Sequence, residues 1–429
     1  MAGILFGVFF VFLLIGLPIA FSIMLGALFG VYINDLSLML IPQRMLISTD
    51  NFSMLAIPLF ILAGDLMNVG GITKRMVDFA YAIVGHIRGG LGMTSISASM
   101  IFAGISGSAV ADTSAIGSLL IPAMREKKYQ PGFAAALQAA GGTLGPIIPP
   151  SILMVLYGSI TNVSIGGLFL SGIIPGVLIG FLCMAVTWFM ATDKYNPGIQ
   201  REPWQGFGAI IKTTKPAIPA LMMPIIIIVG IITGIFTATE ASAVAVLYAL
   251  IVGMVVHKEL KFSHLPKIML DAAATTCMIM LIIAAASCFG WLLAWAQFPD
   301  AIGSWLQSIT NDKYVFLLLL IIFLLLLGMV VEVLAIATIF GPLLSTLGAQ
   351  YGFDPIHYGL IILVIMQMGG ITPPVGIILQ ITCGLAKIGF APSIKYLLWY
   401  ILAMLIVITL VVFFPGLATY LPNTFLGTS

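Results

Sequence analysis

Charge is what this chain has least of. Of its 429 residues only 7% are Asp, Glu, Lys or Arg and 61% are hydrophobic, against roughly 25% and 45–50% in a soluble globular protein. So few charges cannot cover a water-facing surface, and a net charge of +2 offers no basic face to a nucleic acid. Cysteine is scarce too: Cys183, Cys277, Cys288 and Cys383 all fall inside apolar stretches with no metal-ligand spacing, and read as small buried hydrophobes. No GxxxxGK[ST] loop occurs, which excludes ATP hydrolysis by that route, and no HExxH occurs. His86, His257, His264 and His357 stand singly in loops or span ends, where a solvated imidazole is expected. Nor do apolar and polar residues alternate in ten-residue stretches, as an outer-membrane barrel requires.

What is present is solid apolar sequence. A helix needs about 20 apolar residues to cross a hydrocarbon core about 30 Å thick. Such windows fall near 3–32, 51–69, 132–159, 164–191, 215–236, 239–256, 268–295, 356–385 and 393–422. The first run exceeds a signal-peptide core and has no charge before it, so it reads as a retained span. Segments 88–128 and 313–350 are too long for one span. Each is interrupted mid-way, by Ser106-Gly107-Ser108 and by Gly328 and Glu332, and each reads as a re-entrant hairpin. Segments 36–50 and 297–312 read as interfacial helices. The fold class is therefore an all-α polytopic membrane protein. With residues 70–88 cytoplasmic, 15 of the 17 Lys and Arg fall on that side, leaving only Arg44 and Lys313 outside, as basic residues do in cytoplasmic loops.

An internal repeat appears at an offset of 224. Gly104, Ala111, Gly117, Leu119, Leu120, Pro131, Gly145 and Pro149-Pro150 fall on Gly328, Ala335, Gly341, Leu343, Leu344, Pro355, Gly369 and Pro373-Pro374. The prolines and glycines carry this signal, because each fixes or frees a backbone torsion. The repeat unit is a hairpin followed by a helix broken at Pro-Pro. Five crossings separate the two hairpins, and five is odd, so the repeats are inverted with both broken helices meeting near the midplane, as in secondary transporters.

Three groups of residues carry chemistry. The tip Gly104-Ile-Ser-Gly-Ser-Ala-Val-Ala-Asp112-Thr-Ser114 offers hydroxyls and unpaired carbonyls that survive in lipid only around a polar occupant; a Na⁺ ion suits that donor set. Gly142-Thr-Leu-Gly-Pro-Ile-Ile-Pro-Pro-Ser151 and Gly369-Gly-Ile-Thr372-Pro-Pro-Val-Gly376 must unwind, exposing carbonyls on one side and a helix N-terminus on the other. The third group is the intramembrane acids Asp65, Asp112, Glu240 and Glu332, since such groups usually face a pathway or a partner. Glu332 stands out because the repeat pairs it with Ser108. Asp112 is either a transport residue or a cap for the second half of its hairpin, and Asp65 and Glu240 are open to the same two readings.

The motifs Phe102-Ala-Gly-Ile-Ser-Gly-Ser-Ala-Val-Ala-Asp112, Gly145-Pro-Ile-Ile-Pro-Pro-Ser151, Ile235-Phe-Thr-Ala-Thr-Glu-Ala-Ser242 and Gly370-Ile-Thr-Pro-Pro-Val-Gly376, in this order, resemble the large membrane subunit of tripartite ATP-independent periplasmic (TRAP) transporters over essentially the whole chain. The resemblance implies a non-enzymatic, Na⁺-coupled importer of organic acids such as a sialic acid or a C4-dicarboxylate in the bacterial inner membrane. Its implied partners are a periplasmic substrate-binding protein and a small four-helix membrane subunit. No extra four-helix segment precedes Met1, so that subunit is expected as a separate chain. An elevator mechanism is implied, with scaffold and arm helices in 1–87 and 192–312 and transport-domain repeats in 88–191 and 313–429. Cations are expected around Ser106, Ser108, Gly145 and Pro146 in the first repeat, and around Gly328, Glu332, Gly369 and Thr372 in the second. Substrate is expected near Ser108, Ser151 and Glu332, with Asp112 as a further candidate. The second hairpin of this family often carries Asp where this chain has Glu332, and the longer side chain leaves substrate, cation and proton as alternative partners. Three other readings stand beside this one: a self-sufficient ion-coupled dicarboxylate carrier, an intramembrane enzyme and a passive channel. Against the enzyme stand the inverted repeat and the lack of a His or Lys near Ser106 or Ser108 in sequence.

Overall fold

The computed structural model describes residues 2–199 and 201–427, and among them the chain is helical with no strand. The opening run does not cross as one helix. Helices α1 (Ala2–Leu14) and α2 (Ile19–Ile33) are parted by a turn at Gly16, with φ of 95°, and Pro18. The chain folds back so that the Leu5 carbonyl lies 3.1 Å from where a Cβ on Gly26 would stand. The span expected at 3–32 is thus corrected to a pair of antiparallel helices about 20 and 23 Å long, each too short to cross alone. Hydropathy could not reveal the turn, because Ile15, Gly16 and Leu17 are as apolar as their flanks.

Next come α3 (Leu40–Thr49), a 3₁₀ turn at Phe52–Leu55 that leads into α4 (Ala56–Val69), and the amphipathic α5 (Ile72–Val84). The first hairpin is α6 (Gly90–Ser106) and α7 (Ala109–Glu126), and the first broken helix is α8 (Pro131–Gly142) and α9 (Ile152–Thr161). Then follow α10 (Ile165–Met190), α11 (Phe207–Ile232), α12 (Ala238–Ile251, prolonged by a π-turn to Val256) and α13 (Leu265–Trp295). The short α14 (Phe298–Ile309) bends by 120° into α15 (Lys313–Gly328), which forms the second hairpin with α16 (Val333–Gln350). The second broken helix is α17 (Pro355–Gly369) and α18 (Ile377–Ala386), and α19 (Ala391–Phe413) and α20 (Gly416–Leu426) close the chain. The span expected at 393–422 is corrected as well: it stops at Phe413, because the residue before Pro415 is driven out of the helical region, and α20 packs back against α10.

The repeat is more complete in structure than in sequence. Shifted by 224, α7 coincides with α16 end to end. Both α8 and α17 open on proline, and both breaks hold a cis Pro-Pro, at Pro149-Pro150 and Pro373-Pro374. The same shift carries α5 onto α14, so each unit begins with an amphipathic helix that feeds its hairpin. Between the hairpins the broken α8–α9, α10, α11, α12 and α13 make the five expected crossings, which inverts the second unit.

Polar contacts sort the loops into the two sides that the charges gave. Arg75 pairs with Glu259 at 2.6 Å and Lys127 with Glu202 at 2.7 Å, while Arg88 Nε donates to the Ala191 carbonyl at 2.8 Å. These bonds join four of the segments read as cytoplasmic. Glu202 also raises the pKa of the Lys127 ammonium above its usual value, by hydrogen bond and by charge. At the other end Tyr351 Oη donates to the Thr310 carbonyl at 3.0 Å, and the Arg44 guanidinium lies 4.6 Å from the centre of the Trp291 ring.

Two expectations about single residues change. Cys183, Cys288 and Cys383 are buried but Cys277 is exposed on α13, because an apolar run needs only one face inside the bundle. His357 is not solvated: it is 4% exposed at the start of α17, with Nε2 2.8 Å from the Val411 carbonyl.

In a variant with its four cysteines replaced by alanine, Cys introduced at Lys128 or Lys261 is expected to react with a membrane-impermeant maleimide only from the cytoplasmic side, and at Lys313 only from the periplasmic side. Labelling of all three from one face would refute the inverted repeat.

Candidate functional site

The first hairpin turns because Gly107 adopts φ of 60° and Ser108 an extended backbone. A Cβ on Gly107 would meet the Pro150 carbonyl oxygen at 2.7 Å, so only glycine lets the tip reach the break in α8–α9. There Ile152 N–H donates to the Gly107 carbonyl at 3.2 Å. Ser108 Oγ accepts from Ala111 N–H at 3.3 Å and so caps α7. Ser151 caps α9 in the same way, accepting from Met154 N–H at 3.2 Å while its hydroxyl donates to the Pro146 carbonyl at 2.7 Å. Gly145 packs against the Ser108 backbone, where a Cβ would meet the carbonyl oxygen at 2.8 Å.

The second tip repeats this construction with other side chains. Glu332 Oε2 accepts from Ala335 N–H at 3.0 Å, which caps α16 as its repeat mate Ser108 caps α7. Val375 N–H donates to the Met329 carbonyl at 3.1 Å, tying tip to break again. Gly328 and Gly369 meet backbone to backbone, a Cβ on either falling 2.8 or 2.6 Å from the other's Cα.

Both tips and both breaks face one cavity of about 760 Å³. Of the residues expected to act, Ser106, Ser108, Pro146, Gly328 and Glu332 line it. Asp112, Ser151, Gly145, Gly369 and Thr372 do not reach its wall. Four helices, α7, α9, α16 and α18, present their first residues to it. Free backbone N–H groups and aligned peptide dipoles make such termini anion-binding ends. From the tips the cavity runs past Ser114 and Ser118 to Asn68, Thr73 and Lys74, at the cytoplasmic end of α4 and the start of α5. The cavity thus extends to the segment that the basic residues place on the cytoplasmic side.

The acids separate. Asp65 lies on the cavity wall. Glu240 is a helix cap: it completes a capping box with Thr237, accepting from that residue's backbone N–H at 2.8 Å. Asp112 is fully buried behind the tip, with Oδ1 accepting from Ser99 Oγ at 2.8 Å and Oδ2 without a partner. It is not the cap of α7, which is Ser108. Ser99 and Ser95 both bond to Gln138 of α8, so this polar cluster joins the two limbs of the hairpin to the broken helix. Sequence reasoning passed over Gln367, which is 3% exposed, lines the cavity and leaves Oε1 without a partner. A lone amide in the apolar run 356–371, one turn ahead of the break, was its signal.

Two inverted repeats, two tips and two breaks on one cavity define a membrane transporter. A solved structure shares the fold: the YdaH transporter of Alcanivorax borkumensis aligns with a TM-score of 0.58 at 15% identity, over 84% of this chain and 86% of that one. The chain belongs to the DctM component family of tripartite ATP-independent periplasmic transporters, whose family model matches residues 6–417. It is 38% identical to the sialic acid TRAP transporter large permease protein SiaM of Vibrio cholerae, over 100% of this chain and 99% of that one. It is also 38% identical to the C4-dicarboxylate TRAP transporter large permease protein DctM of Pseudomonas aeruginosa, over 89% and 88%. The chain is therefore a large permease subunit, a multi-pass protein of the bacterial inner membrane and a transport component rather than an enzyme.

Gly369→Ala should force the second tip away from its break and lower stability by about 1–3 kcal/mol, seen as an earlier thermal transition. Glu332→Ala should lose the α16 cap, about 1 kcal/mol, whereas Glu332→Gln keeps an accepting oxygen and should melt near wild type. Equal melting of the two Glu332 variants would refute the capping role.

Proposed function

We propose that this chain carries an organic acid across the inner membrane by Na⁺-coupled symport, taking it from a periplasmic binding protein and working beside a small four-helix membrane subunit. The observation that carries this reading is the meeting of four helix N-termini and two hairpin tips at one cavity. The termini suit the carboxylate of the substrate, with Ser108 and Glu332 on the wall and Ser151 just behind it. The donors suit Na⁺: hydroxyls of Ser106 and Ser108 with carbonyls around Gly145 and Pro146 in one repeat, and backbone around Gly328 and Gly369 with Thr372 and Glu332 in the other. Hard oxygen ligands with few carboxylates are the donor set such an ion takes. Asp112 acts from behind, holding the first tip to α8 through Ser99.

Movement follows from the repeat. The hairpins, the broken helices, α10 and α19 form the transport domain, α4 and α11–α13 the scaffold, and α5 and α14 the arms that let one slide against the other. Na⁺ bound at a tip orders the wall that substrate meets, so each ligand raises the affinity of the other by the same factor. The relatives named for sialic acid and for C4-dicarboxylates bracket the substrate as an organic acid.

The test is uptake into proteoliposomes holding this chain with its small subunit, with a cognate binding protein and an inward Na⁺ gradient each present or absent. Uptake that needs both is expected. Gradient-driven uptake without the binding protein would replace this reading by a self-sufficient carrier, and uptake indifferent to Na⁺ would remove the coupling. Ser106→Ala and Ser108→Ala should each raise the Na⁺ concentration for half-maximal uptake several-fold, a shift of about 1 kcal/mol per lost ligand.

A further inference from the structure

Resting on the reading of the first tip and the first break as a Na⁺ site, we infer that Gln138 is a positioning residue for that site. From outside the cavity it fixes the spacing between the hydroxyls of Ser106 and Ser108 and the carbonyls around Gly145 and Pro146, and with that spacing the choice of Na⁺ over the smaller Li⁺. The donors come from two pieces of chain, the hairpin of α6 and α7 and the break after α8. A site split in this way takes its dimensions from how the two pieces are held together, and alkali cations take the same oxygen donors at different lengths.

The pieces are held by a buried polar cluster with α6 at its hub. Ser95 Oγ donates to Gln138 Oε1, which fixes α8 to α6, and Ser99 Oγ donates to Asp112 Oδ1 at 2.8 Å, which fixes α7 to α6. Gln138 Nε2 closes the cluster on Ser99 Oγ at 3.5 Å. From here both routes to the site are short. Asp112 N–H donates to the Ser108 carbonyl at 3.0 Å, and α8 leads from Gln138 into the turn where Gly145 N–H donates to the Gly142 carbonyl at 3.2 Å. Gly141 and Gly142 let α8 lie directly against the hairpin: a Cβ on the first would stand 3.1 Å from Ser99 Oγ, and one on the second would collide with Thr113 Oγ1. Ser95, Ser99, Asp112 and Gln138 are fully buried and none of them lines the cavity, so they act on the site only through the backbone.

The second repeat shows that the fold does not need this polarity. Shifted by 224, Ser95, Ser99, Asp112 and Gln138 fall on Leu319, Phe323, Ile336 and Ile362. The equivalent hairpin of α15 and α16 packs against α17 with none of these hydrogen bonds. A hydrogen bond weakens steeply when its partners shift, whereas apolar contact tolerates sliding. What the first repeat gains from the cluster is a fixed distance rather than a fold.

The test uses the purified chain with its small subunit and finds the concentrations of NaCl and of LiCl that raise the thermal unfolding midpoint by the same increment, with ionic strength held constant by choline chloride. Wild type should need less NaCl than LiCl. Gln138→Met, alike in length and without the amide, should reduce that preference by a factor on the order of five, the size of one buried hydrogen bond. The pair Ser95→Ala with Gln138→Met removes both partners, leaves neither unpaired, and should fold as well as wild type with the preference equally reduced. Tyr400→Phe removes a buried bond elsewhere in the transport domain, between Thr187 and Tyr400 at 2.8 Å, and should lower the midpoint with the preference intact. A preference retained in the double variant, a preference lost equally in Tyr400→Phe, or a wild type that treats the two ions alike would each overturn the inference. The Na⁺ reading itself fails separately, if NaCl gives no stabilisation over choline chloride.

Discussion

Everything in this molecule turns on the rule that a backbone polar group inside a membrane must find a partner. An unbroken helix obeys it within itself; a hairpin tip or a broken helix does not. This chain places four such interruptions in its interior and lets them serve one another. Gly107 accepts from Ile152, Met329 accepts from Val375, and capping side chains take the first free N–H groups of α7, α9 and α16. Residues of both tips and both breaks line a single cavity. The site lies where the tips, the breaks and four helix ends meet, and its polarity needs few charged residues.

The same economy explains why glycine and proline dominate the motifs. Proline opens the helices by withholding donors, and glycine then allows backbone to approach backbone where a methyl group would collide, as at Gly107 on Pro150 and at Gly328 on Gly369. Neither residue type offers a ligand side chain. Both act through the backbone, by setting where the chain unwinds and how closely the tips approach the breaks.

The outline of the fold was legible because its strongest signals are local. Tandem prolines, Gly-Ser tips and basic loops are read from composition and spacing, and they gave the hairpins, the broken helices and the inversion. The failures have one cause, which is that hydropathy is blind to direction. It could not see the reversal at Gly16, the stop before Pro415, the exposed setting of Cys277 or the buried setting of His357. It also missed the extension of the repeat to α5 and α14, where two amphipathic helices share a position and a role but almost no residues. In the site, the repeat paired Ser108 with Glu332 and the structure shows them in one local role, the helix cap. Gln367 stayed hidden because its place, buried on the cavity wall, shows only in the three-dimensional neighbourhood.

Symmetry is close in the helices and broken in the tips and side chains, and the break has a direction. The first repeat faces the cavity with serine hydroxyls and keeps its acid, Asp112, buried behind the tip in a network with Ser99 and Gln138. The second faces it with Glu332 and Gln367 and packs its tip by glycine against glycine. A carboxylate at one tip and none at the other makes the two halves chemically unequal, while the four helix ends remain common to both. Two-fold geometry thus supplies the path across the membrane, since an inverted unit presents the same route from either side. The departures from it supply selectivity, because a site symmetric in chemistry as well as in shape would hold a symmetric ligand best, and the two walls of this one offer different partners to the two ends of whatever lies between them.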